Sequence, residues 1–244
     1  MIASPHNEKL KLVRKLRERK HREREGLFAT EGEDLVEAGL AAGAEPRFVL
    51  VAAGSGLFAD RAAPAEEVEP GLLAEVSTLG SGTRAIAVWR QRWADRIEPP
   101  AVYLHEIGDP GNVGAIVRTA HALLGGTVVL GPGCADPYGP KAVRASMGSV
   151  FGQPLARGAI GDTPAPRAAL VAHGGEDPES LEAMRTICLG AERHGLPDEV
   201  LIGCDIQVTV PLRPAAESLN VAAAAAIACE RLSSPAMREG GSDA

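Results

Sequence analysis

Residues 101–131 read AVYLHEIGDPGNVGAIVRTAHALLGGTVVLG, and this stretch decides the fold. An apolar, β-prone run over 101–107 gives way to the turn Asp109-Pro110-Gly111. Val113, Ile116, Val117, Ala120, Leu123 and Leu124 then recur at the spacing of a helix over 112–124. A second apolar run follows over 126–131. Strand, helix and strand in close succession make a unit whose two strands lie parallel. Asn112 reads as the helix N-cap. Gly114 and Arg118 share another face, four residues apart. Glycine inside a helix costs up to about 1 kcal/mol against alanine, so it predicts open space beside the arginine. An arginine over such a notch suits a phosphate or another anion. A surface arginine beside a solvent-facing glycine fits the same residues.

The alternation continues downstream. Strands are predicted at 168–173, 186–190 and 206–212, and helices at 139–150, 178–184 and 218–232. This order predicts an α/β fold with a mainly parallel sheet and helices on both faces. Ligands of such sheets sit beyond the carboxyl ends of the strands. The first half reads as a smaller α/β unit. It has a basic helix over 6–25 with a thin apolar stripe (Leu10, Val13, Leu16), a strand before Glu31-Gly32, and a helix through Leu35, Val36 and Leu40. Strands in RFVLVAA and TRAIAVWRQ flank a short helix in PGLLAEVSTL. The cluster RWADRIEPPA suggests a linker near 93–100. The predicted organisation is therefore a domain over 1–95, a second over 96–235, and a disordered tail over 236–244.

Composition narrows the class. The chain has 244 residues and a net charge of −7. It has no apolar run long enough to cross a bilayer, and the charged start MIASPHNEKLKLVRK is no secretory signal. The expectation is a cytoplasmic protein without membrane contact. Cys134, Cys188, Cys204 and Cys229 are scattered, which argues against a zinc site or a disulfide framework; they read as small buried residues in a reducing compartment, without a redox role. Residues 1–25 carry nine basic against four acidic side chains, net +5, leaving −12 for the remainder. A basic arm on an acidic protein fits a local contact with an anionic polymer; an ordinary solvated helix face fits it equally.

Two further stretches lie at strand ends. In LGAERHGLPDEV (189–200) a strand ends at Gly190, with Glu192 two residues on. In VPLRPAAESLNVAAAAAIACERL (210–232) a strand ends at Pro211, Ser218 reads as an N-cap, and Asn220 sits in the first turn. Ser218 and Asn220 could both meet a ligand at the helix mouth, and a capping turn or a capped core helix would explain either stretch as well. VVLGPGCADPYG imitates a dinucleotide fingerprint, but its third glycine is missing and prolines interrupt it, so NAD or FAD binding is set aside.

Taken together, DPGNVGAIVRTA, GAERHGLPDEV and VPLRPAAESLNVAAAAAI resemble, in order and spacing, the three motifs of the SpoU (TrmH-like) RNA ribose 2′-O-methyltransferases of the SPOUT superfamily. The resemblance covers 101–232. Residues 7–39 resemble, more loosely, the small substrate-binding domain that precedes many such catalytic domains. The resemblance implies a C-terminal α/β domain closed by a deep trefoil knot, S-adenosylmethionine as cofactor, no metal, and a homodimer formed through the knot domain. By motif match it assigns catalysis to Asn112, Arg118, Glu192, Ser218 and Asn220. The cofactor loops would be Leu189, Gly190 and Glu192; Val210, Pro211 and Leu212; and Ser218, Leu219 and Asn220. Asn112 would hold Arg118 or the ribose. A guanidinium is a poor resting base, so Arg118 is read as a phosphate anchor and alkoxide stabiliser.

RNA contacts are expected from Lys11, Arg14, Lys15, Arg118, Lys141 and Arg144, the last two sharing a helix face. Trp89 and Trp93 read as packing at the domain junction, and His105, His121, His173 and His194 as incidental. The extra N-terminal domain favours ribosomal RNA. A tRNA methyltransferase and an inactive RNA-binding assembly factor are the alternatives. His121, Val210-Pro211-Leu212 and Ala222 depart from common family residues, outside the expected catalytic set.

Overall fold

The structure is a computed structural model that describes residues 1–59, 65–79, 82–213 and 218–240, the last seven by backbone alone. It divides into two compact units, Met1–Gln91 with Asp136–Gly152, and Arg92–Ala135 with the chain from Gln153 onward. Residues 136–152, assigned to the second domain by the sequence reading, therefore pack with the first.

The elements run α1 (Glu8–Lys15), α2 (Arg19–Glu25), β1 (Leu27–Glu31), α3 (Glu33–Ala41), β2 (Pro46–Ala52), β3 (Ala65–Val68), α4 (Pro70–Val76) and β4 (Ala85–Arg90). They continue with β5 (Ala101–Leu104), α5 (Pro110–Leu123), β6 (Val128–Leu130), α6 (Pro140–Ser146), β7 (Leu155–Arg157), β8 (Arg167–Leu170), β9 (Thr186–Leu189), α7 (Asp198–Ile202), β10 (Ile206–Val208) and α8 (Val221–Gly240).

In the first unit the sheet order is β1-β4-β2-β3. Strand β4 runs antiparallel to both β1 and β2, and β3 runs parallel to β2. One face buries Leu10, Val13 and Leu16 of the N-terminal arm against Leu27, Leu50, Leu73, Val76 and Ile86. The apolar stripe at 3-residue spacing buries because it lies on one side of the helix. The single helix expected over 6–25 is broken at residues 16–18. Arg22 explains the break. Its Nη1 donates to the carbonyls of Leu16 and Arg17, both at 2.8 Å, and its Nε donates to Asp136 Oδ2 at 2.7 Å. The guanidinium thus caps the end of α1, whose last carbonyls have no helical partner. Arg22 and Asp136 are both about nineteen-twentieths buried. Residues 138–151 complete the unit: Tyr138 and Phe151 pack on Phe28, and Trp89 meets Phe151 edge-on at 4.8 Å. Trp89 also donates to Thr30 Oγ1 at 2.8 Å, so its packing lies inside this unit. Trp93, in the second unit, lies under the Arg157 guanidinium.

The second unit is a six-stranded sheet in the order β10-β8-β9-β5-β6-β7, with every pair parallel. Five strands fall where the sequence predicts them; β7 has only three residues, LAR, too few for a period to show. The expected helix over 178–184 is a 3₁₀ helix, Pro178–Ala183. Helix α8 begins at Val221, not Ser218, and its backbone continues to Gly240, into the stretch expected as a tail from 236. Ala236, Met237, Arg238 and Glu239 are all good helix formers. The rest of that expected tail, 241–244, and residues 214–217 of the third motif lie outside the described residues. Among the described residues no helix is long and apolar enough to cross a membrane.

Candidate active site

Three chain segments that are far apart in sequence meet beside the carboxyl ends of β8, β9 and β10. The first is the start of α5. Its N-cap is Asp109, whose Oδ1 accepts from the Asn112 backbone N–H at 3.0 Å, and Pro110 takes the first helical position. The expected cap, Asn112, is instead the third helical residue. Aspartate directly before an N1 proline has both the acceptor and the extended backbone that a cap needs. The Asn112 side chain is thereby released from capping. Its Nδ2 donates to Glu192 Oε1 in the loop after β9.

Asn220 closes the cluster from the third segment. Its Nδ2 donates to Asn112 Oδ1 at 3.1 Å and to Glu192 Oε1 at 3.4 Å. Its Oδ1 accepts from the backbone N–H groups of Ala222 at 2.9 Å and Ala223 at 3.4 Å. The N-cap of α8 is therefore Asn220 and not Ser218.

The loop after β9 is fixed by close backbone contact. A Cβ on Gly190 would lie 2.2 Å from Gly195 C and 2.4 Å from Leu196 N, so only glycine fits there. Ala191 and Gly195 pair across the loop, with Gly195 N–H donating to Ala191 O at 2.8 Å. Beside it opens a cleft of about 410 Å³, within the range that encloses a small-molecule ligand. Of the expected cofactor residues, Leu189, Gly190, Glu192, Val210, Leu212, Ser218 and Leu219 line it; Pro211 and Asn220 do not. Sequence reading missed Leu170, Val171, Ala172, Leu196, Val221 and Ala224, which also line it. Their apolar side chains carry no signal distinguishing a cleft wall from a core. His194, expected to be incidental, lines it as well.

Arg118 does not join the cluster. It is exposed and has no hydrogen-bond or ion-pair partner among the described residues, whereas Gly114 is buried. Gly114 lies on the buried side of the helix with Val113 and Val117. Nor does Asn112 hold Arg118: six helical residues place them about 9 Å apart along the axis and on different faces. The cations of the N-terminal arm are mostly paired. Lys11 meets Glu8, Arg14 meets Glu75, and Lys9 meets Glu66; Lys15 is exposed. On α6, Arg144 donates to Thr78 Oγ1 at 3.0 Å, and Lys141 is exposed. No cluster of three or more His, Cys, Asp or Glu that could hold a metal occurs among the described residues.

A parallel α/β domain with a ligand-sized cleft at its strand ends, and an amide–carboxylate cluster beside it, defines a small-molecule-binding enzyme class. Comparison with known proteins makes it specific. The model of the SpoU rRNA methylase family matches residues 99–230, and that of the MRM3-like substrate binding domain matches residues 7–87. The chain belongs to the SpoU rRNA methylase family. It is 30% identical over 248 residues to the Bacillus subtilis 23S rRNA (guanosine(2553)-2′-O)-methyltransferase RlmP, covering 93% of this chain and 96% of that one. It is 36% identical over 139 residues to an uncharacterised tRNA/rRNA methyltransferase of Mycobacterium tuberculosis, covering 51% of this chain; the match spans about half of that relative, 48%. The crystal structure of the SpoU methyltransferase AviRb from Streptomyces viridochromogenes with AdoMet superposes with a TM-score of 0.82 at 25% identity, covering 95% of this chain and 99% of that one.

Proposed function

We propose that this chain is an S-adenosylmethionine-dependent RNA ribose 2′-O-methyltransferase acting on ribosomal RNA. The observation that carries the reading is the convergence of Asn112, Glu192 and Asn220 beside a cleft of about 410 Å³ at the strand ends. The cleft suits the cofactor chemically. Leu170, Leu189, Leu196 and Val221 offer apolar walls to an adenine, and Ser218 and the backbone around Gly190 and Ala191 offer polar partners. The name of the relative RlmP and the cofactor in the AviRb structure support the same substrate class and cofactor.

S-adenosylmethionine, when bound, supplies a methyl group on a sulfonium, an electrophile with a neutral leaving group. The chain's residues then orient the ribose hydroxyl. Glu192, held by two amide donors, fixes the loop that walls the cleft. Arg118, exposed and outside the cleft, anchors a phosphate of the bound RNA and so holds the target ribose in place. The first unit grips the RNA, with Lys11, Arg14, Lys15, Lys141 and Arg144 at the backbone. Exposed ion pairs such as Arg14–Glu75 are weak, so phosphates can replace their carboxylates. In the same reading the C-terminal part forms a deep trefoil knot and the enzyme works as a homodimer through that domain; family membership supports both.

The test is methyl transfer from labelled S-adenosylmethionine to total rRNA and to tRNA, wild type beside Arg118→Ala, with nuclease mapping of the product. The expected result is a ribose 2′-O-methyl in rRNA. Arg118→Ala should lower kcat about 10²-fold through misplacement of the ribose and leave the cofactor dissociation constant unchanged, because Arg118 lines no part of the cleft. Binding of cofactor and RNA without transfer to either pool would overturn the reading.

A further inference from the structure

Behind the cleft loop two thiols face each other. Cys188, in β9, is fully buried, and Cys204, between α7 and β10, is half-buried; both are free thiols. Their sulfurs lie 3.6 Å apart. Cys188 immediately precedes Leu189 and Gly190, the first residues of the cleft loop, and Cys204 closes the turn after α7. The chain between them, sixteen positions in length, therefore contains the whole loop and α7. Both sulfurs belong to one apolar cluster with Leu196, Val200 and Leu201. Leu196 also lines the cleft.

We propose that Cys188 and Cys204 form a reversible disulfide that governs cofactor binding by remodelling the loop 190–196. This rests on the reading of the cleft as the S-adenosylmethionine site. Cys204 is the attacking thiol. It is the more accessible of the two, and the Arg167 guanidinium, which donates to Gly203 O at 3.3 Å, stands beside it. The hydrogen bond shared with Cys188, and then the charge of Arg167, hold the Cys204 thiol below its ordinary range. Cys188 is pushed up by that bond and by burial. The oxidant class is a hydroperoxide. The Cys204 thiolate attacks the peroxide oxygen, giving a sulfenic acid and releasing water or an alcohol. The Cys188 sulfur then attacks the sulfenic sulfur, a second water leaves, and the S–S bond forms with loss of both thiol protons.

Closure to a bonded distance of about 2.05 Å requires the sulfurs to approach by about 1.5 Å. Cys188 is held in the interior of the parallel sheet, so the chain around Cys204 is the partner that moves. That motion presses α7 and Leu196 against β9 and changes the shape of the cleft. Oxidation should weaken cofactor binding at least tenfold, and thiol reduction should restore it.

The experiment treats the full chain with hydrogen peroxide, with and without later dithiothreitol. It compares wild type with Cys204→Ser. Peptide mass spectrometry reads the cross-link, calorimetry reads the S-adenosylmethionine dissociation constant, and amide hydrogen exchange reads residues 190–202. Support is a Cys188–Cys204 peptide two mass units lighter than the dithiol pair, slower exchange over 190–202, and a dissociation constant raised at least tenfold in wild type alone. Failure to form that peptide overturns the proposal, as does a cross-linked protein with unchanged affinity and exchange. If the reduced protein does not bind S-adenosylmethionine, the cofactor reading fails; the peptide and the exchange rates then decide the disulfide by themselves.

Discussion

One amide, that of Asn220, does two jobs: its oxygen starts α8 and its nitrogen holds Asn112 and Glu192. Asn220→Asp separates them. Aspartate caps a helix as well as asparagine does, but it offers no donor and places a second carboxylate beside Glu192. We expect thermal unfolding within a degree or two of wild type and methyl transfer at least about tenfold slower, a loss of about 1.4 kcal/mol in transition-state stabilisation. Calorimetry beside a single-turnover assay checks it; equal losses of stability and rate would refute the division. Gly190→Ala tests the loop. The added methyl would meet the Gly195 backbone at 2.2 Å, so the loop must move as a whole. Cofactor titration should show binding weakened by more than about tenfold, or 1.4 kcal/mol. The presence of Asn112, Glu192 and Asn220 at one site was legible through the resemblance of their three stretches to the family's motifs, since standing at a strand or helix end distinguishes none of them from an ordinary cap or turn. Their hydrogen bonds were not legible. Asp109 and Asn112, like Ser218 and Asn220, are all good caps, and the sequence alone does not say which one each helix begins on.

Elements were legible where many residues repeat one period. The buried side of α5 includes Val113, Ile116, Val117 and Ala120, as its spacing predicts, whereas Leu123 and Leu124, expected with them, are only partly buried. Short elements such as β3 and β7 contain too few residues for a period, and the break between α1 and α2 depends on a partner 114 positions away. That partner makes the Arg22–Asp136 pair a test at this scale. Asp136 also accepts from the Tyr138 backbone N–H at 2.9 Å, so it fixes the turn leading into α6. Asp136→Ala leaves a buried guanidinium without its carboxylate, and removing one partner of a buried pair costs about 3–5 kcal/mol. Urea unfolding should show that loss, while replacing both residues with apolar ones should recover much of it.

Across the whole molecule buried acids lower stability in alkali, Tyr103 and Cys229 together with Cys188. Burial, the largest cause, pushes Tyr103 up from 10.0 to about 12. Burial likewise pushes Cys229 up from 9.0 to about 12. In the unfolded chain these groups lose their protons at the lower values, so the folded state binds more protons between pH 9 and 12. Stability from these groups is complete below about pH 9 and is lost as pH rises through about 12. Urea midpoints taken from pH 8 to 12 should fall steadily, and Cys229→Ala should flatten the lower part of that fall.

The division of the chain into units has a consequence during synthesis. The first unit takes residues 1–91 and then 136–152, so the polypeptide leaves it and returns. Phe28 and Trp89 lack Tyr138 and Phe151, and Arg22 lacks Asp136, until that return is made. A nascent chain that has just released Gln91 from the ribosome cannot yet finish its first core. It must wait for some sixty further residues, while β5, α5 and β6 emerge between the two halves. The order of translation thus interleaves the two units, and a single proteolytic or genetic cut after Gln91 would not liberate a finished first unit.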